Sequence, residues 1–126
     1  MKSAKVLLQH NLYENSISMA YYAMYNLLMA TLFKTGIKCE NHSGPILLLK
    51  LLFKEDGLFK QISEAKKERI DKQYYVTIEK DEITRDVAEE LLRNAEDFVL
   101  DIKVFCKRLT LNKIEDMRCQ LKLFID

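Results

Sequence analysis

Between Asn15 and Phe33 lie nineteen consecutive residues without a charged side chain. That run constrains the fold more than any other feature of the chain. As a helix it extends about 28 Å, with apolar residues recurring on two of its sides. Ile17, Tyr21, Met24, Leu28 and Thr31 make one stripe, and Tyr22, Tyr25, Met29 and Leu32 make another. A helix apolar on two sides must be covered on two sides. The run is long enough to compete as a membrane span, but Asn15, Ser16, Ser18, Asn26 and Thr31 are polar. Its three tyrosines also sit mid-run rather than at the ends, where interfacial aromatics belong. The reading is therefore a buried central helix of a soluble protein, with no membrane contact.

Helical periodicity continues along most of the 126 residues. Lys2 to His10 can form a first helix, stopping at Asn11. The central helix ends at Gly36, since glycine takes the left-handed C-cap conformation freely. Cys39 to Gly44 reads as a loop. Asn41 or Ser43 can then cap a third helix, with Pro45 in its first turn where no amide donor is needed. Asp56-Gly57 reads as a break before a fourth helix from Leu58, on which Leu58, Ile62 and Ala65 share a face that leads to Arg69. Tyr74 to Ile78 is β-prone but isolated, and reads as an ordered loop. From Thr84 as N-cap, Val87, Leu91, Ala95, Phe98, Ile102, Phe105 and Leu109 predict a fifth helix of about seven turns. A sixth carries Ile114, Met117, Leu121, Phe124 and Ile125, and it either docks on the rest or supports self-association. The expected fold is all-α, an antiparallel bundle of five to six helices in a single domain over residues 1–126.

Twenty basic and nineteen acidic residues give a net charge of +1, so no global field draws the chain to nucleic acid or anionic lipid. Any such site must be local. Three cysteines, with no Cys-x-x-Cys pair, argue against a disulfide framework or a zinc site. The N-terminus has no apolar core of a secretory signal, and the expected location is the cytoplasm. Three scattered glycines cannot build a phosphate-binding loop of the Walker or Rossmann kind. With two histidines on separate segments, neither a metal nor another cofactor is expected.

Three places can carry chemistry. His42, beside Ser43, can act as an acid or base or simply cap a helix. Tyr21, Tyr22 and Tyr25 can line a pocket or pack in a core. Arg69, with Tyr74 and Tyr75 close in sequence, is the strongest: a guanidinium recognises phosphate through its forked donors, and a tyrosine can stack on a base. The competing reading of Arg69 is a buried ion pair with a carboxylate of the fifth helix.

The run Ser18-Met19-Ala20-Tyr21-Tyr22-Ala23-Met24-Tyr25, followed by Asn41-His42-Ser43-Gly44, then Arg69 with Tyr74, and then Ala88-Glu89-Glu90-Leu91-Leu92 and Ala95-Glu96-Asp97-Phe98-Val99, resembles the HEPN domain family. The resemblance covers Ala4 to Phe105. It implies a helical bundle that dimerises, often beside a minimal nucleotidyltransferase in toxin–antitoxin or related modules. It also implies that ribonucleolytic members carry Arg, then four to six residues, then His. Arg69 matches that arginine, and Tyr74 stands where the histidine's nearest allowed position falls. Tyrosine, with an ordinary pKa near 10, is a poor proton shuttle at neutral pH.

The leading expectation is thus a homodimer that binds a nucleotide, RNA or a nucleotidyltransferase partner through Arg69, Tyr74, Tyr75, His42, Ser43 and Tyr22. The enzymatic alternative is a metal-independent endoribonuclease toxin with a degenerate Arg-x4-Tyr motif, in which Arg69 and Tyr74 are catalytic. The third is a structural interaction module with Arg69 in an internal ion pair.

Overall fold

A computed structural model describes residues 1–37, 43–74 and 85–125, and the side chains of 43, 70–74 and 122–125 lie outside that description. Six helices follow one another: α1 Lys2–Gln9, α2 Tyr13–Thr35, α3 Ser43–Leu51, α4 Asp56–Tyr74, α5 Arg85–Arg108 and α6 Leu111–Ile125. The protein is all-α, as expected, and no strand occurs among the described residues.

The helix ends follow local chemistry. Asn11 closes α1 in the left-handed region at φ 61°, a conformation that asparagine tolerates better than most residues. Gly36 closes α2 at φ 74°, and the amide of Ile37 reaches back to the carbonyl of Leu32 at 3.3 Å. Two expectations need correction. Asp56 and Gly57 do not break the pattern; they open α4, where an acid suits the positive end of the helix dipole. The reversal lies two residues earlier, at Lys54 with φ 55°. Ser43 and Gly44 belong to the first turn of α3 and Tyr74 is the last residue of α4, so none of the three is loop. The rest of both predicted loops, and the Asn41 and Thr84 caps, lie outside the described residues.

α2 is the central element, packing against α1, α3, α4 and α5. Its stripe of Ile17, Tyr21, Met24, Leu28 and Thr31 is buried as the sequence predicts. It meets Leu91, Ala95, Phe98 and Ile102 of α5 and Leu58, Ile62 and Ala65 of α4 in one core. Each large aliphatic or aromatic side chain so buried contributes about 1.5–3 kcal/mol. Ser16, Thr31 and Thr35 are the buried polar residues of α2, and the Ser16 hydroxyl donates to the carbonyl of Ala4 at 2.8 Å, fastening α1.

The second stripe is only half covered. Leu32 is buried and Tyr25 and Met29 are partly so, but Tyr22 is 38 % exposed. α6 rests lightly on the bundle through Met117 and Leu121, with Arg118 lying over Gly36. No helix among the described residues is long and apolar enough to cross a membrane.

Candidate anion-binding site at the crossing of α2 and α4

Leu58, Ile62 and Ala65 face the core at helical spacing, and the next position on that face is Arg69. The arginine meets α2 rather than α5. Its Nη2 donates to the Tyr22 hydroxyl at 2.6 Å. Its Cζ lies 4.7 Å from the Tyr22 ring centroid and 5.4 Å from that of Tyr21, within cation–π range of both. Tyr21 in turn stacks on Tyr25 with centroids 6.1 Å apart, and meets Tyr22 edge to face at 5.8 Å.

This arrangement fixes the electrostatics. Tyr21 is 2 % exposed, and burial pushes its phenol above the usual tyrosine pKa. Arg69 pulls the other way without overcoming burial, and Tyr25 and Tyr22 add to the rise. Tyr21 is therefore a neutral ring beneath the guanidinium at neutral pH.

Arg69 is incompletely satisfied. Its Nε is buried and has no hydrogen-bond partner among the described residues, although such a donor costs about 1–3 kcal/mol when left unpaired. The ion pairs among the described residues are Lys5 with Glu96 at 2.8 Å and Arg85 with Glu89 at 2.9 Å. Three acids of α5 have other donors, Glu89 and Glu96 in those ion pairs and Asp101, which accepts from Gln61 at 3.2 Å. Among the described residues, Arg69 thus rests on aromatic rings with no carboxylate paired to it, a stacking that a planar guanidinium takes readily.

Of the residues the sequence singled out, the structure joins Arg69 with Tyr22. It adds Tyr21, which sequence reasoning left between pocket and core. Nothing in a single sequence signals that contact, because it depends on how α2 and α4 cross. Tyr74 closes α4 and Ser43 opens α3, but their side chains lie outside the described residues. His42 and Tyr75 lie outside them altogether. No three His, Cys, Asp or Glu side chains among the described residues converge as a metal ion would require.

The family model for the HEPN domain matches residues 1–105. The chain belongs to the HEPN domain family. The match ends within α5, so α6 lies beyond it. Among relatives of this HEPN protein, a Methanocaldococcus jannaschii protein named "Putative toxin" is 29 % identical over 116 residues, covering 86 % of this chain and 82 % of its own. A UPF0332 protein of Pyrococcus horikoshii is 29 % identical over 115 residues, covering 90 % and 80 %. Another UPF0332 protein, from Archaeoglobus fulgidus, is 31 % identical over 108 residues, covering 82 % and 83 %. No solved structure matches the HEPN chain at a significant level.

Proposed function

We propose that this HEPN protein is a homodimeric component of a toxin–antitoxin-like module and that it takes a phosphate-bearing ligand, a nucleotide or RNA, at Arg69. The observation that carries the reading is the guanidinium seated on Tyr21 and Tyr22 with a buried, unpartnered Nε. A phosphate oxygen supplies the acceptor that Nε lacks, and the partly exposed Tyr22 ring offers a stacking face for a base. Tyr74, Tyr75, His42 and Ser43 are the proposed additional contacts, and a minimal nucleotidyltransferase is the proposed protein partner. The module assignment draws on the relative named as a toxin.

An endoribonuclease reading draws on the same arginine, which would stabilise charge building on a scissile phosphate. One experiment separates the two. Purified protein is incubated with end-labelled structured and unstructured RNA in EDTA, beside Arg69→Ala and Arg69→Lys, with fold integrity followed by circular dichroism. Binding without cleavage, weakened at least about tenfold in Arg69→Ala, supports the binding reading. Cleavage that persists in EDTA and is lost in folded Arg69→Ala makes the protein a ribonuclease. Unchanged binding in a folded Arg69→Ala removes Arg69 from the site.

A further inference from the structure

With a net charge of only +1, a polyanion can be held only by a local patch, and the corner between α5 and α6 carries one. From Ile102 to Ile114 the chain has four cations, Lys103, Lys107, Arg108 and Lys113, and no acid. The fold adds two more. Lys34 donates from Nζ to the carbonyl of Cys106 at 3.2 Å, and Arg118 lies over Gly36, close to Lys34 in the chain. All six are exposed, and none forms an ion pair among the described residues.

Helix dipoles account for part of this. Lys107 and Arg108 occupy the last turn of α5, and Lys34 the last turn of α2, where a cation is favoured. Lys113 has the opposite setting. It lies in the first turn of α6, which holds no acid, and there a cation meets the positive end of a dipole. Thr110 caps that turn in place of a carboxylate, its Oγ1 accepting from the Lys113 amide at 3.2 Å. Like charges grouped without counter-ions repel one another, and a bound polyanion removes that repulsion.

We propose that the α5–α6 corner binds the phosphate backbone of RNA. The inference rests on the RNA arm of the proposed function and names an extended strand, rather than a free nucleotide, as the ligand. Lys34 follows Tyr22 by twelve residues on α2, which places the corner about 18 Å along that helix from the hydroxyl that holds Arg69. A duplex strand advances about 3.4 Å per phosphate, so the two places are about five phosphates apart and a single nucleotide cannot serve both. Contacts to phosphate position a strand without reading its bases, so the corner adds affinity without sequence preference. Lys107, Arg108, Lys113 and Arg118 follow the residues matched by the HEPN model, so this contact is not one that the family model describes.

The test is the salt dependence of binding to a labelled single-stranded 2′-O-methyl RNA, which resists cleavage, followed by fluorescence anisotropy across a potassium chloride series. The triple variant Lys107→Gln, Arg108→Gln, Lys113→Gln is compared with wild type and Arg69→Ala, each checked for unchanged helicity by circular dichroism. Each phosphate neutralised on a single strand contributes about 0.7 to the log-log slope, so the triple variant should bind more weakly and lose about 2 from the slope. Calorimetry with adenosine monophosphate reads the Arg69 site separately, and that binding should be unchanged in the triple variant and lost in Arg69→Ala. An unchanged slope in the folded triple variant overturns the corner and leaves Arg69 standing. The expected loss of slope without heat from adenosine monophosphate upholds the corner and removes the nucleotide reading at Arg69. No binding of RNA by the wild type at any salt overturns the corner whatever the nucleotide does. Polyglutamate that displaces RNA as well as an unlabelled strand of equal charge overturns it in favour of an acidic protein.

Discussion

α2 and α5 are the two longest helices and they pack on each other, yet they treat their outer faces differently. α5 buries Ala88, Leu91, Leu92, Ala95, Phe98, Ile102 and Phe105. On its far side the charged Arg93, Asp97, Lys103 and Lys107 interleave with Leu100 and Val104, and all six are exposed. α2 buries an equally continuous stripe, but its far side has no charge from Asn15 to Phe33. A helix meant for water on one side shows a strong amphipathic contrast. α2 lacks that contrast, and the cation beside its outer face, Arg69, comes from a neighbouring helix.

The difference can be broken by substitution. The largest effect is expected at the shared inner seam: Phe98 is fully buried, and Phe98→Ala should lower unfolding free energy by about 3–5 kcal/mol in urea titration. Next comes the way the helices end. α5 runs out on Lys107 and Arg108, whereas α2 depends on left-handed Gly36. Gly36→Ala should cost about 1–2 kcal/mol through backbone conformation. An added Cβ would also stand 2.6 Å from Arg118 Nη2, but the end of a flexible side chain can move aside.

Burial of a phenol sharpens the comparison further, since α5 has no tyrosine on its inner face. The folded pKa of Tyr21 is raised, chiefly by burial, so its contribution to stability is fully present below the unfolded value near 10 and is lost as pH rises through the folded value. Thermal denaturation should show stability falling above about pH 10, with part of that slope removed in Tyr21→Phe. The smallest effect should be at Phe33. Phe33→Ser should change unfolding free energy by no more than about 0.5 kcal/mol in dilute protein, with a larger loss emerging only as concentration rises. A concentration-independent result would put the outer face of α2 on the same footing as that of α5.

Much of the architecture was legible because it is local. The uncharged run and Gly36 place α2 and its end, and the α5 periodicity marks the face that α5 buries. Arg69 stood out because an apolar stripe ran into it. Asp56-Gly57 was misread because both residues serve equally at a turn and in the first turn of a helix, and only the backbone at Lys54 distinguishes the two. The second stripe of α2 was expected to be covered, with the cover left unnamed. Periodicity reports which residues share a face, not what lies against it. For the same reason the sequence offered Arg69 a carboxylate from α5, when the described structure seats it on Tyr21 and Tyr22.

The order of the helices also has a consequence in time. α2 is completed about 50 residues before α5 begins, and at synthesis rates of about 5–20 residues per second its principal cover arrives roughly 3–10 s later. During that interval an uncharged segment of near-membrane-spanning length has only α1 and the emerging α3 and α4 to pack against. The asparagines and serines spaced through the run then act in the nascent chain, lowering the hydropathy by which targeting and insertion machinery would take it for a span.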